Sequence, residues 1–450
     1  MDPELGRFES EDRRVLAPAN DPMPVPVTIL CGELGAGKTT LLSRLLESAD
    51  RDIAVLVNDV GEVNVDADLV EARTDLETGD EVVALENGCI CCSLGGELSR
   101  AVIRLWKDHE FDHLVVEASG VGEPEPIARQ FVRGPAGGPY DLEAVVTVVD
   151  ARRFHDRFAD GEAVPVRQGP NGEGTRPLSD LVLEQVEFCD LLVVNKGDLV
   201  SDAERERVVA LLEMLQPRAA IETAEYGDLE PEVLLGVERF ELETVRDSAG
   251  WKRQIEADAG EGEHGTDGNH DCSDGGDPAR GGDHTHSDGD HAHPPERYGI
   301  EVEGYHRRRP FHPERFAELL RSLPDGLVRA KGLTWIAGRE DQAITTSTAG
   351  AATTLEVTGR WIASFAEERQ ETYRRGQPDL VWDEEHGDRE VRLALIGRDV
   401  DWDALESRLD DCLLSDEEMA ADWSDYENPA PTGMGETVTI SSADPEAPAR

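Results

Sequence analysis

Three cysteines lie within four positions of the chain, in the stretch "LENGCICCSL". They are Cys89, Cys91 and Cys92, and the whole chain has only seven cysteines in 450 residues. A disulfide inside so short a loop would be a strained ring. A redox pair of Cys89 and Cys92, or a buried cysteine cluster, are alternatives. Three thiolates in a short loop suit Zn²⁺ or Co²⁺ and leave a coordination position open for an exchangeable ligand, so we favour metal binding.

A glycine-rich stretch, "CGELGAGKTT", has the spacing of a phosphate-binding loop. Gly32-x4-Gly37-Lys38-Thr39 follows a predicted strand and precedes a predicted helix, which is the context of a P-loop. Glycines let backbone N–H groups surround phosphate oxygens, and the helix N-terminus adds positive potential. We expect Lys38 to reach the β- and γ-phosphates and Thr39 to bind Mg²⁺. The alternative is a glycine-rich turn with a chance lysine.

A second nucleotide motif, Asn195-Lys196-x-Asp198, follows the apolar stretch "LLVV". The Asp198 carboxylate can accept hydrogen bonds from guanine N1–H and from the exocyclic amine together. Adenine presents an acceptor at N1, so the motif predicts GTP rather than ATP. The alternative is an aspartate that only caps a helix after a strand.

Glu117 ends another apolar stretch, in "HLVVEASGVGEP". A carboxylate there can hold Mg²⁺ through water, and Gly120 can approach the γ-phosphate; a plain strand-end turn is the alternative. The residues predicted to bind the nucleotide are Gly32, Gly35, Ala36, Gly37, Lys38, Thr39, Thr40, Gly120, Asn195, Lys196 and Asp198. The predicted catalytic residues are Lys38, Thr39 and Glu117, and the last two are also the predicted Mg²⁺ ligands.

The elements that carry these motifs alternate between short apolar runs and helical segments from Val25 to about Glu243. Continuous apolar strands separated by helices predict an α/β domain with a mostly parallel sheet, covered on both faces. We place this domain at residues 25–247, with a loop insertion at 161–177. A smaller α+β domain is predicted at 298–418, and its first helix repeats apolar residues at i, i+3, i+4 and i+7, namely Phe316, Leu319, Leu320 and Leu323.

The segments outside these domains are polar. Between Ile255 and Tyr298 there is no Val, Ile, Leu, Met, Phe, Trp or Tyr, so residues 248–297 are predicted to be an acidic linker rich in histidine and glycine. Six of the twelve histidines lie in this linker. Two roles stay open for it: weak binding of divalent metal ions, or a solvated spacer without ligands. Residues 1–24 and 419–450 are predicted to be disordered tails.

Charge composition excludes some partners. The 44 basic and 96 acidic residues give a net charge of −52. Phosphate affinity needs clustered cations, so we expect no nucleic-acid or anionic-membrane binding. At molar salt the Debye length is only about 3 Å, so the repulsion among the acidic residues is screened. We therefore interpret the acidic composition as adaptation to a salt-loaded cytoplasm. The alternative is an ordinary acidic protein. The chain shows no run of 18 apolar residues and no apolar leader, which predicts a cytoplasmic protein.

The order of the motifs resembles one family. The P-loop, "VNDVGEVNVDADLV", "GCICC", "VVEASG" and "NKGD" are similar, in this order, to the CobW family of GTP-dependent metallochaperones. In the second domain "YHRRRPFHPERFAELL", "RAKGLTWIAGR" and "LDDCLLSDEE" resemble the family's C-terminal domain, so most of residues 25–418 is covered. The long linker, the insertion and the acidic surface are departures that bear on client docking.

The resemblance implies a P-loop GTPase with a C-terminal module, in which the cysteine triplet carries the metal. It implies GTP, Mg²⁺ and Zn²⁺ or Co²⁺ as cofactors, and delivery of the metal to client metalloproteins under the control of GTP hydrolysis. The stretch "NDVGEVN" most resembles the family members that are implicated in zinc supply, and this resemblance favours Zn²⁺ as the metal. The acidic residues of this stretch, Asp59, Glu62, Asp66 and Asp68, are either further metal ligands or part of a solvated acidic face.

Three functional classes stay open on the sequence. The first is a GTPase that transfers metal to a client metalloprotein. The second is a regulatory GTPase with a structural zinc site, although such sites usually have four protein ligands and only three cysteines are local. The third is a thiol redox switch on a nucleotide-binding scaffold. The sequence leaves the oligomeric state open, and a homodimer is among the partners considered.

Overall fold

The structure is a computed structural model of the 450-residue chain. It describes residues 24–57, 81–84, 95–118, 120, 122–159, 177–237, 239–241, 249, 252, 298–377 and 380–441, with the backbone alone at 81–84 and 95–97. The predicted N-terminal tail, the predicted insertion, the cysteine triplet, the acidic stretch after Val57 and almost all of the predicted linker lie outside the described residues.

Seven parallel strands form the sheet of the first domain, in the spatial order β3-β2-β4-β1-β5-β6-β7. Their bounds are β1 Val25–Cys31, β2 Ile53–Val57, β3 Glu81–Ala84, β4 His113–Glu117, β5 Tyr140–Asp150, β6 Leu191–Asn195 and β7 Ala220–Thr223. The prediction of a parallel α/β sheet is confirmed. Apolar runs such as "IAVLV" in β2 are buried along their whole length, as expected for strands covered on both faces.

Helices cover both faces of this sheet. They are α1 Lys38–Ser48, α2 Gly95–Asp108, α3 Pro124–Val132, α4 Ala151–Phe154, α5 Leu178–Glu187, α6 Asp202–Leu215 and α7 Pro231–Leu234, and α4 continues as a π-helix over His155–Ala159. Alternate strand residues face opposite layers: Ile29 packs in the core under α2, α3, α5 and α6, whereas Leu30 packs in the core under α1 and α7.

The second domain is built on six antiparallel strands in the order β13-β11-β10-β9-β12-β8. The strands are β8 Ile300–Arg307, β9 Leu327–Thr334, β10 Gln342–Ala349, β11 Ala352–Arg360, β12 Val391–Arg398 and β13 Thr437–Ser441. The helices are α8 Pro313–Leu320, α9 Glu367–Gly376, α10 Trp402–Asp410 and α11 Asp416–Met419. The α+β prediction is confirmed; Phe316 and Leu320 of α8 enter the core, and Leu323 packs against it from the turn that follows.

The structure differs from the expectation of a disordered tail from residue 419. Described residues continue to Ser441, and β13 pairs antiparallel with β11, with Val438 opposite Leu355 and Ile440 opposite Thr353. Ile440 is buried in the core of this domain. The stretch "TVTIS" has only two apolar residues, so its strand depends on a partner about 80 positions earlier in the chain rather than on its own composition.

The two domains pack closely through α5 and the second sheet. Four residues of the second domain join the core of the first, namely Ile300, Val328, Ala349 and Ile396. At the same interface Arg329 of β9 bonds Asp180 and Glu187 of α5, with distances of 2.7 Å to each carboxylate. Among the described helices, none has the length and apolarity needed to cross a lipid bilayer.

Candidate functional site

The carboxyl ends of four neighbouring strands lie level at one edge of the first sheet. Leu30 of β1 is opposite Glu117 of β4, and Glu117 is opposite Val57 of β2. Val57 in turn is opposite Ala84, the last residue of β3. Loops that follow parallel strands gather at this edge, which is where open α/β sheets bind their ligands. The P-loop therefore begins at the same edge of the sheet at which Glu117 and Ala84 end their strands.

The P-loop depends on three glycines with positive φ. Gly32, Gly35 and Gly37 have φ angles of 138°, 82° and 106°. Residues with a Cβ rarely adopt this backbone conformation. A Cβ on Gly32 would lie 2.3 Å from the carbonyl oxygen of Val148, and one on Gly37 would lie 2.2 Å from Nδ2 of Asn195. Helix α1 begins directly after Gly37, so its free N-terminal N–H groups face the loop, as the motif predicted.

Lys38 is buried inside the loop that precedes it. Its Nζ donates to the carbonyl oxygens of Gly32, at 2.7 Å, and Glu33, at 3.4 Å. The side chain is only 6% exposed, so the ammonium is fixed at the centre of the turn. From there it can exchange these carbonyl contacts for phosphate oxygens.

Thr39 and Glu117 meet across the sheet edge. The Thr39 hydroxyl donates to Oε1 of Glu117 over 3.4 Å, and Glu117 is buried. A hydroxyl beside a buried carboxylate is an oxygen donor pair of the kind that Mg²⁺ prefers. Gly120 lies against the P-loop as well, because a Cβ there would be 2.6 Å from the backbone nitrogen of Leu34. The structure thus brings these predicted residues together, while Ala36 is buried in the loop and Thr40 is half-buried in the first turn of α1.

The predicted guanine motif makes hydrogen bonds through Asn195 and Lys196 and has one exposed carboxylate. Asn195 donates from Nδ2 to Ala36 over 2.9 Å, and its Oδ1 accepts from the backbone N–H of Gly227 over 3.0 Å. Lys196 donates to the carbonyl oxygen of Gly35 over 2.6 Å. Asp198 lies exposed in the 3-10 turn Gly197–Leu199.

Tyr226 is a neighbour of Asp198 that sequence reasoning missed. A hydrogen bond with the Asp198 carboxylate, together with the negative charge of that carboxylate, raises the pKa of Tyr226. Its ring is exposed, and its φ of 55° is unusual for a residue other than glycine. The backbone of this loop, between β7 and α7, is thereby brought beside the guanine motif.

Three further residues beside the P-loop, and Glu33 within it, also escaped the sequence analysis. Asp150, at the end of β5, accepts from Nζ of Lys196 over 2.7 Å. Arg153 donates to the carbonyl oxygen of Leu34 over 2.7 Å, and Arg157 donates to Glu33 over 3.0 Å. Asp150 ends an apolar strand, a signal that was available in the sequence. The pairing of Glu33 with Arg157 spans 124 positions and has no local signal.

The predicted transition-metal ligands Cys89, Cys91 and Cys92 lie outside the described residues, as do the acidic residues that follow β2. Within the part of the chain that the structure describes, no group of three or more His, Cys, Asp or Glu side chains could hold a metal ion. The described cysteines, Cys31, Cys189 and Cys412, are buried thiols. Burial raises the pKa of Cys189, which disfavours the thiolate form of that side chain.

Two family models match the chain. "CobW/HypB/UreG, nucleotide-binding domain" matches residues 26–222, and "Cobalamin synthesis protein cobW C-terminal domain" matches residues 300–413. The zinc-regulated GTPase metalloprotein activator 1 of Dictyostelium discoideum is 30% identical over 418 residues, which covers 88% of this chain and 81% of that protein. The chain belongs to the CobW family. Its predicted identity as a P-loop GTPase is confirmed by this membership.

Other relatives match about half of this chain in sequence. The zinc chaperone CobW of Pseudomonas aeruginosa is 34% identical over 227 residues, covering 47% of this chain and 60% of that protein. The zinc chaperone YjiA of Escherichia coli is 32% identical over 229 residues, covering 49% and 64%. The crystal structure of Zn(II)-bound YjiA GTPase from E. coli aligns over 87% of this chain and 99% of that chain, at 20% identity and a TM-score of 0.37.

Proposed function

We propose that this CobW-family GTPase is a metallochaperone that binds Zn²⁺ at Cys89, Cys91 and Cys92 and transfers it to a client metalloprotein when GTP is hydrolysed. The names of its relatives, zinc chaperones and a zinc-regulated metalloprotein activator, support the metal and the transfer. Co²⁺ is the alternative cargo on the chemistry of thiolate ligands.

One observation carries the coupling between the metal and the nucleotide. Ala84 ends the strand that leads into the cysteine triplet, and it lies level with Glu117 and Leu30 through the continuous register of β3, β2, β4 and β1. With strands about 4.8 Å apart, the start of the cysteine segment is roughly 14 Å from the start of the P-loop. The next helix after the cysteine triplet is α2, which begins at Gly95 and packs on the same sheet.

The residues of the nucleotide site have separate roles in this proposal. Lys38 meets the charge that develops on the γ-phosphate. Thr39 and Glu117 would hold Mg²⁺, which neutralises charge on the β- and γ-phosphate oxygens. Asp198 selects guanine, and Gly120, packed on Leu34, senses whether the γ-phosphate is present because it belongs to the segment that follows Glu117.

Transfer follows from a difference in metal affinity between nucleotide states. Thiolates held in one geometry bind metal tightly, whereas released thiolates lose that preorganisation. We assign the tight state to the GTP form and the weak state to the GDP form. By linkage, Zn²⁺ then tightens GTP binding by the same factor that GTP tightens Zn²⁺ binding.

The test is to measure Zn²⁺ affinity by chelator competition in 2 M KCl, about the molar salt at which surface charge is screened. The nucleotide-free, GTP-analogue and GDP forms are compared. We expect the GTP-analogue form to bind Zn²⁺ about 5- to 150-fold more tightly than the GDP form, the usual range for allosteric coupling. Cys91→Ser should abolish this tight binding, and Cys272→Ser, which changes a cysteine of the predicted linker, should preserve it.

Each other outcome favours a different class. Zn²⁺ affinity could be equal in all three nucleotide states and still be lost in Cys91→Ser. That result would support a structural zinc site in a regulatory GTPase. A reversible thiol titration without bound metal would support a redox switch. The client protein, a homodimer and the cytoplasmic location stay predictions.

Lys38→Ala removes the ammonium group that meets the charge on the γ-phosphate. This variant should abolish GTP hydrolysis in any of the three functional classes.

A further inference from the structure

Three consecutive P-loop residues are each held from outside the loop by a cation. Arg157 bonds the side chain of Glu33, Arg153 bonds the carbonyl oxygen of Leu34, and Lys196 bonds the carbonyl oxygen of Gly35. Lys196 belongs to the guanine motif. The two arginines belong to no motif of the sequence.

Both arginines come from one short helical segment. It follows β5 and is capped by Asp150, whose side chain accepts from the backbone N–H of Arg153. Arg153 lies in α4 and Arg157 lies four positions later in the π-helix, so one face of the segment presents both guanidinium groups to the P-loop. Single π-helical turns are frequent at functional sites.

The contact between Arg157 and Glu33 is buried. The two side chains are 8% and 6% exposed, and Arg157 also lies 5.7 Å from the ring centroid of Phe158. A buried carboxylate requires a charge partner, so Glu33 is committed to Arg157. Glu33 is therefore fixed at the second position of the loop.

The loop needs such support because of its own glycines. Three residues at positive φ make many backbone conformations accessible to a free P-loop. Phosphate binding requires its N–H groups to point inward, which turns the carbonyl oxygens of Leu34 and Gly35 outward. Cations that donate hydrogen bonds to those carbonyl oxygens stabilise the binding conformation before the phosphates arrive. A preorganised loop binds more tightly because less ordering is left for the binding step.

We propose that Arg153 and Arg157 are positioning residues that hold the P-loop of this GTPase in its phosphate-binding conformation. Neither residue needs to touch the nucleotide for this role. Since the loop wraps the phosphates common to GTP and GDP, both arginines act on the affinity for both nucleotides, and the rate of the hydrolytic step at saturation is unchanged.

Two variants test this in the full-length protein. Arg153→Met removes the donors from a side chain that is about half exposed. The double variant Glu33→Met/Arg157→Met replaces the buried pair by apolar side chains, an exchange that usually preserves stability, whereas removal of one partner alone does not. We expect each to raise the dissociation constants of GTP and GDP alike, by about threefold to tenfold, the range for one lost hydrogen bond. The value of kcat should stay within about twofold.

The controls separate positioning from folding and from catalysis. Arg375→Met removes an exposed arginine of the second domain and should change neither dissociation constant. Arg153→Lys, which keeps one donor, should recover part of the affinity. A fall in kcat with unchanged dissociation constants would make Arg153 a catalytic arginine and overturn the proposal. Unchanged affinity for both nucleotides in Arg153→Met would also overturn the proposal. If the double variant fails to fold, the result with Arg153→Met alone decides the test.

Discussion

At the scale of single residues, Asp150 connects the two nucleotide motifs. Its carboxylate accepts from the Lys196 ammonium, which also bonds Gly35 of the P-loop. The same carboxylate caps the segment that carries Arg153. Lys196 and Asn195 thus hold the P-loop in place, whereas the Asp198 carboxylate, the predicted partner of the base, is exposed.

The exposed Asp198 gives a prediction on nucleotide choice. Asp198→Asn should weaken GTP binding by about tenfold or more, because the amide offers a single acceptor to two guanine donors. The same variant should gain affinity for xanthosine triphosphate, whose C2 carbonyl oxygen can accept from the new amide group. Competition binding of GTP, ATP and xanthosine triphosphate in high KCl measures this.

The matched control for that prediction is Asp202→Asn, which changes an exposed aspartate in the first turn of α6. Its nucleotide preference should equal that of the unaltered protein. Equal affinity of the unaltered protein for ATP and GTP would contradict the assignment of Asp198 to the base.

Asp190 is a second residue with a measurable consequence. Burial raises its pKa to about 7, against the opposing effects of the Val145 N–H, which donates to it over 2.9 Å, and of Arg239. Its other oxygen, Oδ1, is buried without a hydrogen-bond partner among the residues that the structure describes. The folded protein therefore holds the proton on Asp190 more strongly than the unfolded chain does.

The sign of the pH effect follows from that difference. Between about pH 4, the unfolded pKa, and pH 7 the folded state binds more protons, so ionisation of Asp190 lowers stability as pH rises. Asp190→Asn should thus be more stable than the unaltered protein by about 1–3 kcal/mol at pH 8, with the difference shrinking towards zero near pH 4. Denaturant unfolding at several pH values measures it.

Asp228→Asn is the control for this experiment, because that carboxylate is 79% exposed in a surface ion pair. Its stability difference should stay small at every pH. A difference between Asp190→Asn and the unaltered protein that does not change from pH 4 to 8 would refute the raised pKa.

At the scale of elements, β13 completes the second sheet at its edge. It pairs with β11 over Ala352–Glu356 and contributes Ile440 to the core. Alternation in this strand places Ile440 inward and Thr439 outward. The strand is therefore part of the domain and not an appended tail.

Ile440→Ala should lower the free energy of unfolding by about 2–5 kcal/mol, because it removes buried methylene groups and leaves a cavity. Thr439→Ala, on the exposed face of the same strand, should change stability by about 0.5 kcal/mol or less. Denaturant unfolding followed by tryptophan fluorescence compares the two, since Trp335 lies in the same core. Equal stabilities would place the segment outside the folded domain.

At the scale of the whole molecule, the two domains are joined by a buried charge cluster. Arg329 has no exposed surface and bonds Asp180, Glu187 and Ser347. Burial alone would raise the pKa of Glu187, but the charges of Arg329 and Lys331, together with the hydrogen bond from Arg329, outweigh it and lower that pKa. Helix α5, which carries both carboxylates, also donates from Gln185 to the carbonyl oxygen of Gly122, two residues after Gly120. The C-terminal domain is thus linked to the nucleotide side of the sheet.

Arg329→Met should destabilise the protein by about 3–5 kcal/mol, because two carboxylates are left buried without their main partner. The triple variant Arg329→Met/Asp180→Leu/Glu187→Met should recover most of that loss, since it removes the charges together. Urea unfolding at constant KCl measures both. A triple variant no more stable than Arg329→Met would contradict the charge argument, and Arg360→Met, in an exposed ion pair, serves as control.

The sequence by itself determined the features that local composition encodes. The P-loop, the guanine motif and the parallel sheet followed from glycine spacing and from apolar runs of strand length, because these are short-range properties of the chain. The strand order brings Glu117 to Thr39, and the roles of both residues stay predictions.

Only the tertiary structure decided which distant residues support those motifs. Arg157 meets Glu33 across 124 positions, Arg329 meets Glu187 across 142, and β13 finds β11 about 80 positions away. A lone arginine, glutamate or weakly apolar pentapeptide has the same local appearance on any solvated surface. Its role comes from burial, which makes a charge require a partner and an edge strand require a neighbour, and burial is a property of the folded chain as a whole.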